Sequence, residues 1–130
     1  MNILQPPGWA RPRGYSNGVS ARGQLIFVAG QIGWDDQCRF QTDDLAGQVK
    51  QALENVVAVL AEAGARPEHI VRMTWYMTDK REYLQASRAI SEAYRNIIDS
   101  HYPVMTAIQV SALIEDRAKV EIEATAVIPD

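Results

Sequence analysis

The sequence predicts an α+β layer: a mixed, mainly antiparallel β-sheet with two helices covering one face. Three observations predict it. Leu45, Val49, Leu53, Val56 and Leu60 recur at intervals of three or four residues, which defines one apolar stripe on a helix. In "HIVRMTWYMTD" Val71, Met73, Trp75 and Met77 alternate with Arg72, Thr74, Tyr76 and Thr78, the period of a half-buried strand. The element order reads β-β-α-β-α-β-β, so two helices must share one sheet as their apolar partner.

Taken in order, residues 1–14 carry Pro6, Pro7 and Pro12 and are expected to form an irregular N-terminal arm. Extended stretches follow around 15–20 and 24–32, joined by a turn at Ala21-Arg22-Gly23. "LIFVAGQI" is too short for a typical helix and rich in β-formers, and Gly30 within it marks a bulge or a close approach of other groups to the backbone. Asp43 or Asp44 can cap the first helix and Gly64 can end it. A second helix runs through "EYLQASRAISEAYRNIID", with Tyr83, Ala86, Ile90, Ala93, Tyr94 and Ile97 or Ile98 inward. "PVMTAIQVSAL" and "AKVEIEATAVI" close the fold as two strands around a charged turn.

The whole chain, residues 1–130, makes one domain, and its length leaves little room for a second core. A net charge of −3, with Arg11, Arg13 and Arg22 spread through a loop-rich segment, argues against a nucleic-acid partner, which needs a concentrated basic surface. Cys38 is the only cysteine, which excludes an intrachain disulfide and fits a reducing compartment. Its acidic surroundings do not favour a thiolate. No signal-peptide pattern opens the chain and no apolar run approaches the ~20 residues of a membrane helix, so a cytoplasmic protein is expected. Strands apolar on both faces, at residues 25–29 and 120–127, leave one sheet face needing cover and point to a homo-oligomer.

Few residues carry a chemical signal. His69 and His101 stand too far apart to indicate a metal site, and neither "GYSNG" nor "AGQIG" matches a phosphate-binding loop. His101, beside Tyr102-Pro103, reads as a loop residue, and Trp34, Trp75 and Tyr76 as core or interface. Glu121 and Glu123 are more informative: two apart on a strand, they share a face of an otherwise apolar segment. Such carboxylates are either paired or edge-exposed, or else one of them lines a polar cleft and handles protons or water.

Four segments carry a family likeness: "GYSNGV", "LIFVAGQIGWD", "QALENVVAVLAEAGARPEHIVRMTWYMTD", and "YPVMTAIQVSAL" with "AKVEIEATAV". Over roughly residues 12–128 the chain resembles the Rid family of reactive-intermediate deaminases, also called the YjgF or endoribonuclease L-PSP family. The resemblance implies a chorismate-mutase-like α+β fold, assembled as a homotrimer with a barrel-like core and clefts at the subunit interfaces. It implies hydrolysis of a small enamine or imine to a carbonyl compound and ammonia, with no metal or organic cofactor.

Residue by residue, the family's Tyr falls on Tyr15, its strand Gly on Gly30 and its C-terminal Glu on Glu121, which would orient or activate water. Backbone groups near Gly30 and Thr106 would hold the substrate. The family's carboxylate-binding Arg falls on Met105, where a thioether cannot make the bidentate bond of a guanidinium. Gly14 stands where the family often has Pro, Arg13 where it often has Gly, and Ser87 where many members have Asn. Three readings of the departure stay open. The chain hydrolyses a larger or differently anchored substrate, with Arg13 or Arg72 supplying the cation; or the cleft binds a metabolite without turnover; or it is vestigial in a regulatory partner. The acidic balance leaves little support for the ribonuclease activity in the family's older name.

Overall fold

In the computed structural model, which describes all 130 residues, the strands are β1 (Asn2–Leu4), β2 (Gly18–Ser20), β3 (Gln24–Ile32), β4 (Ile70–Met77), β5 (Val104–Gln109) and β6 (Val120–Ile128). The helices are α1 (Leu45–Ala61), α2 (Lys80–Gln85) and α3 (Ser87–Ile98). The main sheet has the order β3-β6-β4-β5, with β4 and β5 parallel and the other pairings antiparallel. The α+β layer expected from the sequence is therefore present. α1 packs on β3 and β6, and α3 packs beside α1.

α1 forms where its stripe requires. Leu45, Val49, Leu53, Val56 and Leu60 are all buried, each side chain contributing roughly 1.5–3 kcal/mol relative to exposure. Asp44, rather than Asp43, caps it by accepting from Gly47 N–H at 3.0 Å. At the far end Gly64 takes φ +75°, and Gly64 and Ala65 donate to the carbonyls of Ala61 and Leu60. That left-handed residue satisfies the helix's last acceptors.

The structure departs from the sequence-based expectation in three places. The arm is not wholly irregular, because Asn2–Leu4 pairs antiparallel with Gly18–Ser20 once the prolines have turned the chain back. In β4, Ile70 rather than Val71 enters the core, because a register irregularity between Ile70 and Arg72 shifts the alternation at the strand's start. The second helix is broken at Ala86 (φ −90°, ψ 8°) into α2 and α3. Ile90, Ala93, Tyr94 and Ile98 still face inward.

Gln48 is fully buried, yet satisfied: its amide donates to the carbonyls of Thr42 and Arg117 and accepts from Lys119 N–H. It ties the loop before β6 to the first turn of α1. The face of the sheet away from the helices has no cover within the chain. Phe27 is 73% and Leu25 60% exposed there, with Ile108 exposed on the opposite edge strand. No helix is long and apolar enough to cross a membrane.

Candidate functional site

The residues singled out in the sequence fall into two groups on opposite faces of the sheet. On the open face, β3 carries one extra residue between Val28, opposite Ala124, and Gln31, opposite Ile122. This bulge contains Gly30, and the Glu121 side chain folds over it. A Cβ at position 30 would lie 2.7 Å from Glu121 Cδ and 2.9 Å from Cγ, so the carboxylate occupies the space a side chain would need. Past the bulge, Asn55 of α1 donates to the carbonyls of Ile32 and Trp34 and fixes the end of the strand.

Glu121 is half-buried and accepts no hydrogen bond from a side chain of its own chain. Its neighbour on the face, Glu123, accepts a 2.6 Å hydrogen bond from the Tyr76 hydroxyl. That bond, with the charges of Glu123 and Glu121 nearby, raises the Tyr76 pKa above its ordinary value. Of the two carboxylates, Glu123 is engaged by a side chain of the same chain and Glu121 is not. Thr106 is exposed and pairs in register with Thr74, on the same open face.

Met105 lies on the other face. It is partly buried against the core and pairs in register with Met73. Here it lines a cavity of about 370 Å³ with Arg13, Gly14, Trp75, Tyr83, Ile90, Ser91, Tyr94, Arg95 and Tyr102. The N-terminal segment reaches this cavity because Ser16 bridges to Val104 at the edge of the sheet. Ser16 N–H donates to Pro103 O at 3.0 Å and its hydroxyl to Tyr102 O at 2.6 Å. Gly14, at φ +77°, makes the turn that carries Arg13 back over the opening. Tyr94 donates to His101 O at 2.6 Å and stacks on Tyr102 with ring centres 5.6 Å apart. Burial raises the pKa of both Tyr83 and Tyr94.

The fold thus joins Gly30 to Glu121 and Arg13 to Met105, and keeps the pairs apart. Met105 sits opposite Met73 and Glu121 opposite Tyr76 on the shared neighbour β4. Three residues of rise and two strand spacings put their Cα atoms roughly 14 Å apart. Tyr15 is 39% exposed and Arg72 is exposed, neither within a hydrogen-bonded site. His101 is structural: its Nε2 lies 2.6 Å from Ile70 O and links the loop before β5 to the start of β4.

Sequence reasoning missed Tyr83, Ser91 and Arg95 as cavity residues. Tyr83 fell on the helix stripe expected to be core, and Ser91 and Arg95, four apart, were not singled out. Only that i, i+4 spacing of a hydroxyl and a guanidinium beside an aromatic stripe pointed to them.

The profile of the family described as Endoribonuclease L-PSP matches residues 9–128. The chain is 32% identical over 113 residues to the 2-iminobutanoate/2-iminopropanoate deaminase of Salmonella typhimurium, covering 87% of this chain and 86% of that one. It is 33% identical to a RutC family protein of Aquifex aeolicus, covering 98% and 99% of the two chains. Among solved structures, YyfB of the Rid protein family from Yersinia pestis matches with a TM-score of 0.86 at 28% identity, over 98% of each chain. Escherichia coli TdcF with bound serine matches with a TM-score of 0.70 at 34% identity, over 98% and 99%. Together the matched profile, the relatives and the shared fold show that this chain belongs to the Endoribonuclease L-PSP, or Rid/YjgF, family.

Proposed function

We propose that the protein is an imine or enamine deaminase, hydrolysing a reactive C=N intermediate to a carbonyl compound and ammonia without a cofactor. The observation that carries this reading is the Glu121 carboxylate, held over the side-chain-free Gly30 on the open face of the sheet and unused by the rest of its chain. Relatives named as deaminases support the reaction class.

Glu121 takes a proton from water as the water oxygen bonds to the C=N carbon, and the nitrogen gains a proton to give a carbinolamine. Transfer of the second proton to nitrogen then breaks the C–N bond, forms C=O and releases ammonia. Glu121 returns to its starting state, so one water is consumed and no redox partner is needed.

A single chain leaves Glu121 and the Met105 cavity on opposite faces, and leaves Leu25, Phe27 and Ile108 without cover. The reading therefore includes a homotrimer in which one subunit's open face meets the next subunit's Met105 edge, as the family resemblance implies. Tyr15 and the backbone at Gly30 and Thr106 line that cleft. With Met105 in place of arginine, the substrate is not a small imino acid held by its carboxylate at that position. A second reading, metabolite binding without turnover, draws on this same Met105. The discriminating experiment is a panel of imines generated in situ by amino-acid oxidases, with ammonia followed for the wild type and Glu121→Gln. Turnover lost in the variant supports the first reading. No turnover by the wild type, together with ligand-induced thermal stabilisation, supports the second.

A further inference from the structure

The cavity behind Met105 has the makings of a binding pocket in its own right. Its volume of about 370 Å³ exceeds the roughly 150 Å³ known to accept benzene and leaves room for a short acid chain. Trp75, Tyr83 and Tyr94 supply ring surfaces, and the Met105 thioether suits the edge of an aromatic ring. Trp75 is 1% exposed, and its indole Nε1–H is the one buried side-chain polar atom of the chain without a hydrogen-bond partner. A buried donor without an acceptor carries a free-energy cost, and Trp75 is among the residues around the cavity. Arg13 and Arg95 both line the cavity, and neither takes part in any of the chain's three ion pairs. Arg95 does lie in the last turn of α3, where a cation complements the helix dipole. That placement leaves its guanidinium donors unfilled.

We propose that this pocket binds an aromatic monocarboxylate, with Arg95 and Arg13 as the anion anchor and Trp75, Tyr83 and Tyr94 around the ring. The family's anchor position, Met105, becomes an apolar wall, and the charge is met from α3 and the N-terminal segment instead. The proposal rests on the deaminase reading only for the reacting group: the substrate would be an imino acid bearing an aromatic side chain. Binding itself requires no turnover.

The test is calorimetric titration of the full chain with 3-phenylpropanoate, its neutral amide 3-phenylpropanamide, and propanoate. 3-Phenylpropanoate is expected to bind at least tenfold more tightly than either other probe. Arg95→Ala and Arg13→Ala should each weaken it about tenfold or more, the loss of a charge-assisted hydrogen bond. Absence of binding, equal affinity for the three probes, or wild-type affinity in both arginine variants would overturn the assignment. Imine turnover without such binding removes this inference and leaves the deaminase reading standing; Arg95-dependent binding without turnover does the reverse.

Discussion

Gly30 and Glu121 share one volume: the glycine leaves a gap in the bulged strand, and the carboxylate of the neighbouring strand fills it. Gly30 has no left-handed backbone requirement, so its lack of a side chain is explained by this contact alone. Gly30→Ala should push the Glu121 side chain to another rotamer at a stability cost of about 1 kcal/mol. Ammonia release should fall nearly as far as in Glu121→Gln, while the thermal midpoint stays within a few degrees of the wild type. Full turnover in the alanine variant would separate the glycine from the carboxylate's task.

The Met105→Arg variant tests the arginine that the family resemblance implies at this position. A guanidinium there would supply a bidentate anchor on the β5 edge and fill part of the cavity lined by Trp75 and Tyr94. Turnover of small imino acids is expected to rise roughly tenfold or more, as one charge-assisted bond is added. Affinity for aromatic carboxylates should drop. No gain on small substrates would place the block elsewhere in the cleft.

Alkaline pH should destabilise the fold through its tyrosines. Tyr76, Tyr83 and Tyr94 all have folded-state pKa values above the ordinary 10.0: Tyr76 through its bond to Glu123, Tyr83 and Tyr94 chiefly through burial. Above pH 10 the unfolded chain releases protons that the folded chain retains. Their contribution is therefore complete below about pH 10 and shrinks as pH rises toward the folded values. Thermal unfolding between about pH 9 and pH 12 should show a falling midpoint, and Tyr94→Phe should reduce its slope.

Gln48 makes a prediction about stability alone. Gln48→Leu leaves the Thr42 and Arg117 carbonyls and the Lys119 amide without their partner, at a cost on the order of 3 kcal/mol by chemical denaturation. A change under 0.5 kcal/mol would mean water replaces the amide.

Much of the fold was legible because periodicity reports burial directly. The α1 stripe lies where Leu45 to Leu60 put it, and Gly30 does sit in a bulge. The register irregularity that exchanges Val71 for Ile70 and the break at Ala86 were not legible, since both depend on pairing and packing rather than on local pattern. At the site, Glu121 and Glu123 were rightly placed on one face, but only the folded structure shows that Tyr76 engages Glu123 and not Glu121. Nor does spacing along the chain reveal that Met105 and Glu121 face opposite ways, because that follows from the pairing register, which sets Met105 opposite Met73 and Glu121 opposite Tyr76.

The assembly proposal rests on the uncovered face. Phe27→Glu would put a charge on its most exposed aromatic, and light scattering should then show loss of the trimer. A wild-type chain that scatters as a monomer at micromolar concentration would contradict the shared cleft.

The most direct measurement for the central claim is ammonia release from oxidase-generated imines by the wild type beside Glu121→Gln. The account predicts acceleration over the uncatalysed reaction by the wild type and a loss of at least a hundredfold in the variant, in the range of a missing general base. Equal rates for the two proteins, with both folded, would contradict it.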